Sequence, residues 1–330
     1  MTKMNGYTLA ILLPLLTLVV SQSIPQPADV GMSQFWTAPF PSTPLNDAAQ
    51  HIILNWNVVN NTINAGASGL SFVADPLTNS GQVVLRVNYP KGSYSPSASK
   101  KGQAVEGGAV FYTKPFPESG TPLRRVMLSY EVGLPADFPW MKGGKLPGVF
   151  GGRPGSGCEG GAIRDDCFSV RVMWRSQADA EAYAYTLTGN SICDRDKGVR
   201  CNDDFGTSFG RGNAVFQPGK WNKVDMLVEE NALERRNGVL RLWINDQPVT
   251  DNTNLVYRKS DGVDLSAFMF NTFFGGNTPD WATPVDTFSL FRNIKMSAGT
   301  EASTEAAASH QIWSWWAVVV PLLATVWMLG

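Results

Sequence analysis

Hydrophobic and polar residues alternate with a period of two through most of the middle of the chain. The segments 82–89 (QVVLRVNY), 109–112, 125–132, 168–174, 182–187, 222–228, 239–244, 267–274 and 287–295 all read this way. Side chains that alternate in a strand point to opposite faces of a sheet, so each segment is expected to be a strand with one core face. Asn237-Gly238 is a turn signal between two of these runs, and Asn245-Asp246-Gln247-Pro248 predicts another. Apart from its two ends, the chain shows no good helical periodicity. The pattern predicts an all-β fold of two packed antiparallel sheets.

The ends are read differently. Lys3, the apolar run 9–20 and small residues at Ser21 and Ser23 have the form of a signal peptide over residues 1–21. That run is too short to span a bilayer. Residues 22–47, rich in Pro, Ser and Gln, are expected to be a tether or an irregular lead-in strand. Residues 48–296 contain no linker, repeat or charge block and are expected to form one domain. Residues 297–330 combine a small triplet (Ser297-Ala298-Gly299), a polar spacer and the apolar run 312–330. No Lys or Arg follows that run, as one would on the cytoplasmic side of a resident helix. The combination predicts a GPI-attachment signal with Ser297 as the lipidated residue, although Ser303 or Ala306 could also serve. Localisation is therefore expected to be extracellular, at the cell surface or wall, with the membrane as a partner through the anchor.

Composition narrows the chemistry. The chain has 330 residues, 27 Lys and Arg against 28 Asp and Glu, and a net charge of −1. That balance gives no basic patch for nucleic acid. There are only two histidines, and one, His310, lies in the expected tail. His51 alone supports neither a His-rich zinc site nor a Ser–His triad. Cys158, Cys167, Cys193 and Cys201 suit disulfides in an oxidising compartment. Of their three possible pairings, the nearest-neighbour one would staple two loops. Asn60 heads the only N-x-S/T sequon and is the expected glycan site. A monomer is expected.

Three motifs could carry a site. The glycine-rich segment 142–152, with Lys142 and Lys145, reads on its own as a tight turn or as backbone able to approach a ligand. The other two are Ser169-x-Arg171 and Tyr183-x-Tyr185, each pair sharing one strand face. If a hairpin turns near Gln177, Arg171 faces Tyr183 and Ser169 faces Tyr185. Opposed side chains have Cβ atoms about 4.5–5.5 Å apart, so four polar groups would converge on a patch the size of a sugar ring.

The segment 138–148 (FPWMKGGKLPG), the Ser169-x-Arg171 and Tyr183-x-Tyr185 pairs, and 273–284 (FFGGNTPDWATP) together resemble polysaccharide lyase family 14 over roughly residues 50–296. That family includes alginate and glucuronate lyases. The resemblance implies a lectin-like β-jelly roll, a secreted enzyme, and a site of Lys145, Ser169, Arg171, Tyr183 and Tyr185, with Lys142 as runner-up lysine. It implies an acidic polysaccharide, of glucuronan or alginate type, as substrate. Such a lyase removes the C5 proton of a uronate and expels the C4 oxygen. Lys145 and Arg171 would offset the charge that develops, nearby cations would favour a phenolate as base at Tyr183 or Tyr185 with a tyrosine also serving as acid, and no metal or organic cofactor would be needed. The Cys-flanked stretch 189–210 looks like a local addition that could reshape the cleft. A glycoside hydrolase needs two carboxylates flanking the bond, and no strand carries suitably spaced acids. A non-catalytic surface lectin would not need the full set.

Overall fold

The computed structural model describes residues 23–116, 120–202 and 204–304. The expected signal peptide and nearly all of the expected anchor signal lie outside these. Fifteen strands are present among the described residues. In chain order they are β1 (Gln34–Thr37), β2 (Leu70–Ala74), β3 (Val83–Tyr89), β4 (Ala109–Thr113), β5 (Arg125–Gly133), β6 (Gly143–Gly152), β7 (Cys167–Arg175) and β8 (Ala180–Tyr185). Then follow β9 (Val199–Arg200), β10 (Thr207–Phe209), β11 (Trp221–Glu229), β12 (Gly238–Ile244), β13 (Gln247–Leu255), β14 (Ala267–Phe274) and β15 (Thr287–Gly299). Two short helices, α1 (Ala48–Asn55) and α2 (Pro96–Lys100), accompany them.

The strands form two antiparallel sheets stacked as a jelly roll. The first runs β13-β12-β11-β5-β15-β3-β2, with β1 also paired to β15. The second runs β4-β14-β6-β7-β8-β10-β9. The core lies between them, and alternation explains why. On β7, Phe168, Val170, Val172 and Trp174 enter the core. Full burial of such a side chain contributes about 1.5–3 kcal/mol. The intervening Ser169, Arg171 and Met173 line the opposite face. One polar knot crosses the core: the Tyr89 hydroxyl meets Thr272, and lies 2.6 Å from the Ser289 hydroxyl.

Several expectations are corrected. The segment 142–152 is no turn; it is a central strand of the second sheet. Its glycines serve close packing: a Cβ on Gly144 would lie 2.0 Å from the Trp174 ring, and one on Gly148 would lie 2.0 Å from the Val170 carbonyl oxygen. Between Leu146 and Gly148 the register slips at Pro147. This bulge inserts one residue, so Lys145 and Gly148 both face away from the core. Asn237-Gly238 does not make a two-residue hairpin, because residues 230–237 form the link between β11 and β12. The turn at Asn245-Asp246 is present, and both residues have positive φ.

A helix also appears where none was expected. Asp47 caps α1 by accepting from the Gln50 N–H, and Ala48 and Ile52 are its buried face. The stretch 22–47 is not a free tether, since β1 pairs residue for residue with the end of β15.

At the other end, β15 runs through Ser297 to Gly299, paired with β1 and β5. Arg125 then donates to the carbonyls of Glu301 and Ala302, and the Ser303 N–H donates to the Glu230 carbonyl. The packed domain therefore extends past the expected boundary at 296. Ser297 is 8% exposed in the middle of a sheet, and cleavage there would remove the last two residues of a strand paired on both sides. Both disulfides follow the nearest-neighbour pairing, Cys158–Cys167 and Cys193–Cys201.

Candidate active site

The outer face of the second sheet carries the polar residues. β7 and β8 pair Arg171 with Tyr183 and Ser169 with Tyr185, the register expected from the hairpin. Gln177, at its tip, has φ of 64°. On the other side of β7, β6 places Lys145 opposite Met173. The bulge at Pro147 is what brings this lysine onto the same face as Arg171. All five expected residues thus share one face across three adjacent strands.

Lys145 points across the floor toward β8. Its Nζ stands 4.0 Å from the centroid of the Tyr183 ring and 2.7 Å from the Met173 sulfur, toward which it donates. No carboxylate pairs with it among its recorded contacts. Burial, helped by Arg171 and Arg175, pushes its amine well below the ordinary lysine value. Tyr183 moves the other way. Burial, and then the neighbouring Tyr185, raise its phenol well above the usual range, outweighing the pull of Arg175. The expectation that nearby cations favour a phenolate, left open between Tyr183 and Tyr185, is therefore reversed at Tyr183. Burial thus shifts both groups toward their neutral forms, the phenol upward and the amine downward.

Beside them lies an anchor that sequence reasoning missed. Glu181, with no exposed surface, accepts from Arg175 Nε at 2.7 Å and from Ser208 Oγ at 2.6 Å, and is also bound by Arg211. Burial alone would raise its carboxyl, but the two arginines and Ser208 hold it below the usual range. Glu181 stands two residues before Tyr183, and Met173 and Arg175 continue the Ser169-x-Arg171 face. The period-two signal that located the tyrosines could have located these. Asn271 and Phe273 extend the same floor on β14.

The other three expected residues are covered. Ser169, Arg171 and Tyr185 are 0%, 2% and 3% exposed. What covers them is the β6–β7 loop, stapled by Cys158–Cys167. The Ser169 hydroxyl donates to the Cys158 carbonyl at 2.6 Å, and the Gly161 N–H donates to the Tyr185 hydroxyl at 3.3 Å. Glu159 reaches the floor from above. Its carboxylate lies 3.6 Å from Arg171 Nη1, 3.2 Å from the Tyr112 hydroxyl and 3.4 Å from Asn271 Nδ2.

Lys142 lies apart from this set. It is half-exposed and paired with Asp280 on the rim, so Lys145 is the lysine on the floor. The stretch 189–210 adds β9 and β10 to the sheet edge, and supplies Ser208 to the floor. Its Gly206 lies close enough to Tyr183 and Tyr185 that a Cβ would stand 3.0 and 3.1 Å from their rings. His51 is remote in role: it stacks edge-on against Phe72 and sits 2.9 Å from the Pro39 carbonyl. Asn60 is exposed in a short turn.

Residues 77–294 match the family Polysaccharide lyase 14. Among solved structures, the PL-14 alginate lyase from Aplysia kurodai is similar with a TM-score of 0.64 and 27% identity, over 80% of this chain and 98% of that one. An alginate lyase from Chlorella virus shares the fold, with a TM-score of 0.59 and 20% identity over 78% of this chain and 98% of that one. A curated relative, "Exolysin" from Paramecium bursaria Chlorella virus 1, is 25% identical over 219 residues, 60% of this chain. The matched part spans 33% of that relative's length.

Proposed function

The chain belongs to the polysaccharide lyase 14 family, and on that premise we propose that it cleaves an acidic polysaccharide by β-elimination, with a uronate of alginate or glucuronan type at the cleaved bond. The observation that carries this reading is geometric: Lys145 Nζ stands 4.0 Å from the centroid of the Tyr183 ring on one sheet face beside Arg171, and burial favours the neutral form of both groups.

The assignment of roles follows from those directions. Neutral Lys145 takes the C5 proton of the uronate. The electron pair left behind forms the C4–C5 double bond as the C4–O bond breaks. Tyr183, kept protonated by burial, donates its proton to the departing oxygen, and Tyr185 stands ring to ring with it at 5.8 Å. Arg171 receives the substrate carboxylate, whose negative charge otherwise opposes carbanion formation. Ser169 orients the sugar at that end. Glu181 fixes Arg175 and Arg211 behind Tyr183. The reaction balances with one proton moved onto the lysine and one off the tyrosine.

The direct test is incubation with alginate, glucuronan and a neutral β-glucan. The unsaturated uronate end absorbs in the near ultraviolet, and the absorbance should grow with the two polyuronates alone. Growth with neither would remove the reading.

Export and anchoring belong to the same proposal. The apolar run 9–20 and the terminal run 312–330 support them, and Asn60 would carry the glycan. The packing of residues 297–303 favours lipid attachment after Thr304 rather than at Ser297. Release of the protein from intact cells by a phosphatidylinositol-specific phospholipase would test it.

A further inference from the structure

The outer face of the second sheet holds two carboxylates on arginine, and they are held very differently. Glu181 belongs to the sheet and is gripped by bonds of 2.6–2.7 Å from Ser208 and Arg175. Glu159 belongs to a loop, and its contacts are all long, at 3.2, 3.4 and 3.6 Å. Beneath it, Arg171 Nε and Asn271 Oδ1 are buried with no hydrogen-bond partner. A buried polar atom without a partner is costly, so this seat has bonding capacity that Glu159 leaves unfilled.

The same loop occupies the rest of that end. Backbone from Cys158 to Gly161 uses the Ser169 and Tyr185 hydroxyls. Three of the five residues assigned to the substrate are thus engaged by four consecutive residues of one loop. Gly155, Gly157, Gly160 and Gly161 all have positive φ, so the loop turns on residues without a Cβ, which have the widest backbone freedom for a rearrangement. The disulfide ties Cys158 to the first residue of β7, which keeps the Glu159 carboxylate close to the seat.

The geometry points to Glu159 as an internal stand-in for the substrate: its carboxylate sits where a uronate carboxylate binds, and the stapled loop must lift before a polyuronate can reach Arg171, Ser169 and Tyr185. This rests on the polyuronate reading above. The loop is an intramolecular competitor, and the apparent affinity for substrate is reduced to the fraction of molecules in which the loop is lifted. Glu159 also acts as a filter. A neutral sugar has no group that replaces its carboxylate on Arg171, whereas a uronate exchanges like for like.

The test uses Glu159→Gln, which keeps the shape, and Glu159→Ala, which removes the group. Binding of a saturated mannuronate trisaccharide is measured by calorimetry, so no turnover is needed. Both variants should bind it about tenfold more tightly than the parent chain, about 1.4 kcal/mol. The second readout is labelling of Arg171 by phenylglyoxal, followed by mass spectrometry. Arg171 should be labelled slowly in the parent chain and several-fold faster in both variants, whatever the true substrate is. Circular dichroism establishes that the variants are folded. If Glu159→Ala proves unfolded, a Cys158→Ser, Cys167→Ser double variant replaces it, and it should show the same faster labelling. Unchanged labelling together with weaker or unchanged trisaccharide binding would overturn the proposal. Faster labelling with no trisaccharide binding in any chain would keep the cover and remove the polyuronate reading instead.

Discussion

At one end of the cleft floor, the sheet itself presents the chemistry: Lys145 stands over Tyr183, flanked by Met173, with Glu181 and its arginines behind. At the other end, the sheet presents Arg171, Ser169 and Tyr185, and a loop takes them up. The two ends share strands and register. They differ in what satisfies their polar groups. The first end is satisfied mainly by residues on neighbouring strands, whose positions are set by the ladder, with Arg211 reaching in from the turn after β10. The second is satisfied by loop backbone and a long-reaching carboxylate. The difference teaches that the lysine and tyrosine assigned to proton transfer stand where the sheet alone fixes them, and that access is decided at the other end.

The sharpest way to break this division is at Lys145. Lys145→Ala should lower the rate of double-bond formation by about 10²–10⁴, the usual worth of a general base. Its pH dependence has a definite sign. The base must be neutral, so the rate should rise with pH through the depressed lysine value, well below 10.5. Stability carries the same signature. A lysine whose folded pKa is lowered costs nothing above its ordinary value. Its cost then grows as pH falls from there to the folded value, and is constant below. Lys145→Met should therefore raise the melting temperature at neutral pH while abolishing turnover, and the gain should shrink toward high pH. A melting temperature that falls would mean that the amine's contacts with Tyr183 and Met173 outweigh its desolvation.

Glu181 tests whether the fixed end is truly fixed. Glu181→Gln leaves Arg175 and Arg211 without their anion. Breaking a buried pair in this way costs about 3–5 kcal/mol, and because Arg211 is 28% exposed the loss should be near the lower bound, about 3 kcal/mol. Denaturant unfolding measures it. The contribution of Glu181 is present above the ordinary carboxylate range and is lost as pH falls through its lowered pKa. The gap between parent and variant should close in acid. A constant gap would mean that the carboxylate acts through packing alone.

Arg171→Lys examines the covered end. It keeps a cation but loses the planar fork that can grip a carboxylate twice. Turnover should drop by roughly ten- to a hundredfold, the worth of a charged hydrogen bond, with little change in melting temperature, since the Glu159 contact is long. A large loss of stability with unchanged KM would place Arg171 in the scaffold rather than on the substrate.

How far the sequence revealed this arrangement depended on local signals. Alternation on β7 and β8 was enough for strand, face and register, because the inward residues are all apolar, large on β7 and alanines on β8, and the turn near Gln177 is short. It failed on β6, where Gly143, Gly144, Gly148, Gly151 and Gly152 supply no side chain to alternate. Those glycines answer to neighbours such as Trp174 and the Val170 carbonyl, contacts that exist only once the sheet is formed. The helix α1 was hidden by its length of eight residues. Glu159 carried no periodic signal at all, because a loop places it, and the disulfide that aims the loop was one of three possible pairings. The direction of the Tyr183 shift was also illegible. It depends on whether burial or the neighbouring cations win, and that is a question of depth rather than of residue type.

The smallest effect is expected at Lys142, and it bears on the comparison because two lysines stand three residues apart on one glycine-rich strand and its approach. Lys142 is 53% exposed and its partner Asp280 is 54% exposed. An ion pair so placed is screened by salt and loses side-chain entropy on forming. It links the segment before β6 to the turn at Pro279–Trp281 on the rim, and it touches none of the five floor residues. Lys142→Ala should therefore leave kcat within about a factor of ten of the parent, well short of the loss at a general base, and should leave the pH profile in place. KM on a long polyuronate could rise slightly and only at low salt, where a rim cation still attracts a polyanion. Steady-state rates at two ionic strengths decide this. A loss at Lys142 as large as that at Lys145, with a displaced pH profile, would move the proton-accepting amine from the floor to the rim. The division between a fixed chemical end and a gated end would then have to be redrawn.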